Sequence, residues 1–147
     1  MNEIKIFNET NRPGPEEKRE IIAFLFKHLE NFGDLKTDIE KAVNYALKET
    51  VSFGGFILQA FEGDTMACVL VVNQTGMKGY IPENILVYIA THNEFRGKGI
   101  GKRMILKAIE IADGNMALHV EHDNPARSLY EKVGFTSKYL EMRYIKK

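Results

Sequence analysis

The sequence predicts a mixed α/β domain in which strand-like and helix-like segments alternate along the chain. The length of 147 residues, with 44% hydrophobic and 27% charged residues, suits one globular domain. Apolar residues follow strand and helix periods in the order β-α-α-β-β-β-α-β-α-β. Residues 1–147 contain no linker, internal repeat or low-complexity segment, so we expect a single domain.

The first half of the chain is predicted to place two helices between strands. Residues 4–7 alternate polar and apolar side chains as a strand does. Proline and two glutamates at 15–17 are typical of a helix start, and Gly33 is typical of a helix end. Thr37 and Glu40 have capping-box spacing, which predicts the start of the second helix.

The remaining strands are predicted from short apolar runs. Residues 56–61 and 65–73 flank a Glu-Gly-Asp turn and indicate a β-hairpin. Residues 85–90 (I-L-V-Y-I-A) form a β-branched run typical of a strand buried on both faces. Short strands are also expected at 118–120 and, near the end of the chain, at 137–145.

A glycine-rich basic loop, R-G-K-G-I-G at 96–101, connects the buried strand to a helix predicted at 102–112. Its alternate glycines let the backbone turn its N–H groups toward one point. The first helical turn adds unpaired N–H groups and the positive end of the helix dipole. Such a loop binds phosphate, and basic residues cluster on it.

The glycine spacing separates this loop from two common nucleotide-binding loops. A Walker A loop has four residues between its glycines and then Lys-Ser/Thr, whereas three residues separate Gly97 from Gly101 and Arg103 replaces the hydroxyl residue. In a dinucleotide-binding G-x-G-x-x-G loop, the third glycine would fall at Lys102. A nucleotide-binding protein is therefore disfavoured, and the pattern R-x-x-G-x-G remains.

A second pattern, N-P-A-x-x-L-Y-x-x-x-G-F, runs from Asn124 to Phe135 after the predicted strand L-x-V. Together, the two patterns resemble the acyl-CoA-binding and active-site region of the GNAT superfamily of N-acetyltransferases. The resemblance implies the GNAT fold, a central mixed sheet of about six strands with four helices. It also implies two parallel central strands that splay apart and admit the pantetheine arm of acetyl-CoA.

The resemblance implies acetyl-CoA as cosubstrate and no metal. The strand end would pair its backbone with the pantetheine and the acetyl carbonyl, and the loop would hold the pyrophosphate. The implied cofactor-binding residues are Ile89, Ala90, Thr91, Arg96, Gly97, Lys98, Gly99, Ile100, Gly101, Lys102 and Asn124.

Asn124 has two interpretations. With Pro125 after it, it suits the N-cap of a helix. The family's asparagine contact to the pantetheine lies three residues before the alanine that corresponds to Ala126, and Asp123 occupies that position. Either Asp123 or Asn124 could therefore contact the cofactor.

Tyr130 lies where the family's general acid lies. A departing thiolate needs a proton, and a phenol with a pKa of about 10 can donate one. The alternative is a tyrosine that only packs on the helix face with Ala126 and Val133. The resemblance implies direct attack of a primary amine through a tetrahedral intermediate whose oxyanion meets the backbone N–H near Ile89.

The general base is less clearly marked. Family members place a glutamate on the strand before the loop, where this chain has Ile85 and Val87. Glu83 has the same parity on an extended chain, so we expect it to be the base. The other candidates are His119, Glu121 or an ordered water chain.

Composition excludes several function classes. Lys+Arg and Asp+Glu both number 20, so we expect neither nucleic acid nor a membrane as a partner. The single cysteine, Cys68, lies in a buried-strand pattern and predicts a core residue in a reducing compartment. With no signal peptide or membrane span in the sequence, we expect a cytoplasmic protein.

The predicted function is transfer of an acetyl group from acetyl-CoA to a small-molecule or peptide amine. Dimers are common in the family, which makes a homodimer an expectation from the resemblance. Because apolar Ile85 and Val87 occupy the positions of the family's glutamate, the alternative is a GNAT-like module that binds acyl-CoA as a sensor and transfers little.

Overall fold

The computed structural model describes residues 3–147, which form a mixed sheet and four helices. The strands are β1 (Glu3–Phe7), β2 (Gly55–Glu62), β3 (Thr65–Gln74), β4 (Asn84–Thr91) and β5 (Met116–Ala117). The helices are α1 (Pro15–His28), α2 (Lys36–Ala46), α3 (Ile100–Ile111) and α4 (Ala126–Val133). A 3₁₀ turn (Glu30–Phe32) lies between α1 and α2, and another (Asn93–Phe95) follows β4.

The five strands lie side by side in the order in which they occur in the sequence. Pairing is antiparallel from β1 to β4 and parallel between β4 and β5. The expected mixed α/β fold, its hairpin and its four helices are confirmed. Within residues 3–147 the sheet has five strands, where about six were expected.

Helices cover both faces of the sheet and create two apolar clusters. One cluster, the α1/α2 core, joins these helices to side chains such as Ile57, Val69 and Tyr88. The other, the α3/α4 core, joins the later helices to Leu58, Leu70 and others. None of the helices within the described part of the chain has the length and apolar composition needed to cross a membrane.

A β-bulge interrupts β4 near the middle of the strand. Val71 of β3 is opposite Tyr88, whereas the next residue, Val72, is opposite Leu86. Val87 is thus the extra residue. Before the bulge Leu86 belongs to the α3/α4 core, and after it Tyr88 belongs to the α1/α2 core.

The parallel strands β4 and β5 separate almost at once. Only Asn84 with Met116 and Ile85 with Ala117 are paired. From residue 86 to residue 91, β4 has no strand neighbour on that side among the described residues. This stretch, which we call the open edge of β4, is the divergence that the resemblance implied.

Asn84 fixes where β5 begins. Its side chain is 1% exposed, and its Nδ2 donates to the carbonyl oxygens of Asp113 (2.8 Å) and Asn115 (3.2 Å). The Asn84 N–H also donates to Asn115. These bonds place the next residues beside β4, so the prediction of a strand at 118–120 was wrong by two residues.

Two further local predictions are corrected. Helix α2 begins at Lys36 with Leu35 as its N-cap and no side-chain cap, so Thr37 forms no capping box. Residues 137–145 form no strand, and large side chains there, including Tyr139, Leu140 and Tyr144, are exposed.

Candidate active site

The glycine-rich loop adopts the conformation that its sequence requires. Gly97 and Gly99 have φ of 77° and 80°, in the left-handed region that favours glycine. Gly99 is the N-cap of α3, so the first N–H groups of that helix lie at the loop. A Cβ added at Gly97 or Gly99 would meet no atom within 4 Å, so the space beside both residues is open.

The loop also contacts the end of β4 and helix α4. A Cβ added at Gly101 would lie 3.4 Å from Leu129 Cδ2 and 3.7 Å from Thr91 Oγ1. The preceding residue, Ile100, is 3% exposed and anchors α3 in the α3/α4 core. The loop is thus brought together with the strand end and with the helix that carries Tyr130.

Two lysines of the loop region carry charges that no carboxylate neutralises. Neither Lys98 nor Lys102 forms an ion pair within residues 3–147. Lys98 Nζ lies 5.4 Å from the centre of the Phe95 ring. Both positive charges therefore remain available to an anionic ligand.

Arg96 is positioned differently from those lysines. Its Nε donates to the Thr91 carbonyl oxygen (3.1 Å) and its Nη2 to the His28 carbonyl oxygen (3.0 Å). The same Nη2 lies 3.3 Å from Glu30 Oε1. The guanidinium thus joins the loop to the end of α1, a contact between residues far apart in sequence that no local pattern marked.

The strand-end residues assigned to the cofactor all lie on the open edge of β4. Ala90 is 5% exposed in the α1/α2 core, whereas Ile89 packs against the α3/α4 core. Thr91 Oγ1 donates to Cys68 Sγ at 3.6 Å. Because β5 has already diverged, the open edge can offer backbone groups to a ligand.

Tyr130 lies near this strand end, on the α3/α4 side. Its side chain is 8% exposed and packs edge-on to Phe135, with 6.0 Å between ring centres. Burial, and then the nearby Cys68 thiol, raise the pKa of Tyr130 to about 12. No hydrogen bond holds its hydroxyl group among the described residues, so the phenol stays protonated and free to donate.

Cys68 is a core residue, as predicted. It is fully buried, and burial raises the pKa of its thiol to about 12. A thiol held in this protonated form is a poor nucleophile.

Asn124 lies one residue before the N-cap of α4 and hydrogen-bonds to the first residue of that helix. Its Oδ1 accepts a hydrogen bond from the Ala126 N–H at 2.9 Å. Helix α4 begins at Ala126, with Pro125 in the N-cap position, one residue later than its sequence suggested. This hydrogen bond engages the Oδ1 atom of the Asn124 side chain. The neighbouring residue Asp123 is exposed.

The structure does not bring Glu83 together with Tyr130. Its carboxylate lies against Gly114, where an added Cβ would be 2.1 Å from Glu83 Oε2. This is the start of β4, about 20 Å along the strand from Thr91. The other two candidate bases, His119 and Glu121, are exposed and lie outside β5.

Two side-chain pairs near the site have no sequence signal. The rings of His28 and His92 stack with 4.6 Å between centres, and burial lowers the pKa of His28. Tyr88 donates to Asp34 Oδ2 at 2.5 Å. One pair joins the α1–α2 region to β4 and the other joins it to the residue after β4, each across more than 50 residues, a separation that periodicity cannot bridge.

The residues present fit acetyl-CoA. The loop offers helix N–H groups, open space beside two left-handed glycines and two uncompensated lysines. The open edge of β4 offers backbone groups next to them. Within residues 3–147, no group of three or more His, Cys, Asp or Glu residues could hold a metal ion.

Comparison with known proteins identifies the domain. Residues 54–137, more than half of the chain, match the family model described as an acetyltransferase (GNAT) domain. This region includes the loop, the open edge of β4 and Tyr130. No curated protein gives a significant match.

Solved structures share the fold. A ribosomal-protein-alanine N-acetyltransferase from Brucella melitensis is 16% identical with a TM-score of 0.66, and 99% of each chain is covered. An aminoglycoside acetyltransferase from an uncultured soil metagenomic sample, in complex with sisomicin, is 15% identical with a TM-score of 0.64. That match covers 99% of this chain and 95% of the other.

A transcriptional regulator from Bacillus halodurans is 18% identical with a TM-score of 0.68. That match covers 98% of this chain and 100% of the regulator's chain. At these identities the structural likenesses show the fold alone. The family model covers the loop and α4 themselves, and the fold agrees with it. The chain belongs to the GNAT family of acetyltransferases.

Proposed function

We propose that the protein is an acetyl-CoA-dependent N-acetyltransferase whose acceptor is a primary amine. One observation carries this proposal: the glycine-rich loop, the open edge of β4 and the Tyr130 hydroxyl, which has no hydrogen-bond partner within residues 3–147, meet at one end of the sheet. A loop that only binds acetyl-CoA would not require a tyrosine beside it whose hydroxyl forms no hydrogen bond within residues 3–147.

Each part has a separate role in this proposal. The loop and Lys102 bind the phosphates, and the backbone of residues 89–91 orients the acyl end. Acetyl-CoA, when bound, supplies the activated acetyl thioester. The amine attacks the carbonyl carbon, the carbon–sulfur bond breaks, and Tyr130 donates its proton to the departing sulfur. The amine gives up its own proton to solvent, and solvent reprotonates Tyr130. Cys68 stays a thiol and takes no acyl group.

The general base in this proposal is water. Glu83 was the expected base, but its carboxylate lies at the other end of β4. An alkyl amine with a pKa near 10 is partly neutral at mildly alkaline pH, so it can release its proton to solvent. The rate of transfer should therefore rise with pH as the free amine becomes more abundant.

The test is release of free CoA from acetyl-CoA over a panel of amines. The panel should include a peptide with a free N-terminal alanine and an aminoglycoside, because acceptors of both kinds are named for structural neighbours. Amine-dependent release supports the enzyme. Tight acetyl-CoA binding without release on any amine would instead support the sensor. We further propose a cytoplasmic protein with no nucleic-acid or membrane partner.

A further inference from the structure

A carboxylate lies beside the open edge of β4, on the sheet face opposite Tyr130. The Tyr88 hydroxyl donates to Asp34 Oδ2 at 2.5 Å. Tyr88 is 8% exposed in the α1/α2 core and directly follows the bulge residue Val87. Asp34 lies in the connection before α2 and is exposed. A buried tyrosine on the sheet thus orients a charge that faces solvent.

Among the residues that the structure describes, Asp34 differs from the neighbouring carboxylates because no cationic side chain pairs with it. Glu30 lies 3.3 Å from Arg96, and Asp38 lies 3.7 Å from Lys41. Within residues 3–147, Asp34 has the Tyr88 hydroxyl as its side-chain contact and forms no ion pair. Its negative charge is therefore uncompensated.

The positions of the two tyrosines indicate how an acceptor would approach. Tyr130 and the helix that follows the loop belong to the α3/α4 core. Tyr88 belongs to the α1/α2 core, on the other face of the same open strand. An acceptor that reaches the open edge from the α1/α2 side would pass Asp34 before it meets the acyl group.

We propose that Asp34, held by Tyr88, binds a cationic group of the acceptor, and that the acceptor carries a second amine besides the one that is acetylated. The inference rests on the proposed function. The attacking amine must be neutral, because its lone pair forms the new bond. A fixed carboxylate is best matched by a group that keeps its charge, which the attacking nitrogen cannot do. The acceptors are therefore compounds with at least two amines.

Butylamine and 1,4-diaminobutane, assayed with the full chain and acetyl-CoA, test this inference. The wild-type protein should prefer the diamine in kcat/KM. Asp34→Asn should lower kcat/KM for the diamine about 10- to 100-fold, the usual worth of a hydrogen bond to a charge, and change butylamine little. Asp34→Glu keeps the charge and should retain part of the preference.

Tyr88→Phe should raise KM for the diamine without changing KM for acetyl-CoA, because it removes only the hydroxyl that positions Asp34. Asp38→Asn is the matched control, since it removes a nearby carboxylate that already has a partner, and it should keep the diamine preference. Acetyl-CoA affinity, measured by calorimetry, shows that each variant is folded.

The outcomes are distinct. Wild-type turnover without a diamine preference, or a preference that survives in Asp34→Asn, overturns the role of Asp34 and leaves the proposed function standing. Equal losses of acetyl-CoA affinity and diamine turnover in Asp34→Asn show a structural role and also overturn it. A wild-type protein without turnover on any amine contradicts the proposed function itself.

Discussion

The Arg96 guanidinium and the His28 carbonyl oxygen are joined by a 3.0 Å hydrogen bond that fastens the end of α1 to the glycine-rich loop. Arg96 also binds the Thr91 carbonyl oxygen at 3.1 Å, so it bridges the ends of a helix and a strand. Arg96, the first residue of the R-x-x-G-x-G pattern, thus binds carbonyl oxygens of the protein itself in this structure. Lys98 and Lys102, in contrast, form no ion pair with any described residue.

Replacing Arg96 by glutamine should weaken the fold more than it alters ligand selectivity. Loss of charge-assisted bonds to two carbonyls should lower the free energy of unfolding by about 1–3 kcal/mol. Urea denaturation measures this change. Affinities for acetyl-CoA and for a phosphate-free acetyl-pantetheine fragment should fall by the same factor. A loss confined to acetyl-CoA would show that Arg96 binds the phosphates directly.

Replacing Lys102 by glutamate, unlike replacing Arg96, should lower the affinities for the two ligands by different factors. Its charge lies in the first turn of α3 without an ion pair among the described residues, so reversal should weaken acetyl-CoA more than the phosphate-free fragment. Lys107→Glu is the control, because Lys107 lies further along α3 and pairs with Glu110 at 3.6 Å. Calorimetry with both ligands gives the comparison, and equal losses in Lys102→Glu would contradict a phosphate role.

Replacing Gly99 by valine should abolish acetyl-CoA binding while the domain stays folded. The residue has a φ of 80°, which a β-branched side chain resists, and the added side chain would enter the open space of the loop. Gly101→Val should act in the same direction by filling the gap beside Leu129 and Thr91.

Gly79→Val is the matched control for backbone strain. Gly79 has a φ of 85° and equally open surroundings, but it lies in the connection between β3 and β4. It should lose stability as Gly99→Val does and keep its acetyl-CoA affinity. If both variants bind equally well, the loop is not the binding site.

Stability should fall as the pH rises from about 10 to about 12. The unfolded chain releases the Tyr130 proton near the ordinary pKa of 10.0, whereas the folded chain holds it until about 12. The stabilisation is therefore complete below pH 10 and is lost through this window, by up to about 1.4 kcal/mol per pH unit. Urea denaturation at pH 9 to 11.5 should show a shallower decline in Tyr130→Phe. If the free energy of unfolding depends on pH equally in Tyr130→Phe and the wild-type protein, burial does not raise the pKa of Tyr130.

The elements that the sequence predicted well are those whose signals are local. The hairpin follows from two apolar runs around Gly63, and the phosphate loop follows from glycine spacing between a strand and a helix. Tyr130 lies near the loop because α4 packs on α3 in the way that its apolar face required.

The features that the sequence missed depend on contacts between distant residues. The register of β5 is set by the buried Asn84 side chain. The Glu83 carboxylate lies close to Gly114, at the same end of the sheet. Parity assigns Glu83 to one face of the strand, but it leaves out the rise of about 3.3 Å per residue that separates Glu83 from Thr91. Residues 137–145 have a strand-like pattern, but a strand also needs a neighbour to accept its hydrogen bonds, and the pattern does not supply one.

Proton donation by Tyr130 is tested most directly by the rate of acetyl transfer by Tyr130→Phe in a single turnover with an amine that the wild-type protein acetylates. The substitution keeps the ring in the α3/α4 core and removes only the unpartnered hydroxyl. Tyr80→Phe, an 82% exposed tyrosine, is the control. The chemical step should slow about 10²- to 10⁴-fold while acetyl-CoA affinity changes little. An unchanged chemical step in Tyr130→Phe would contradict proton donation by this hydroxyl.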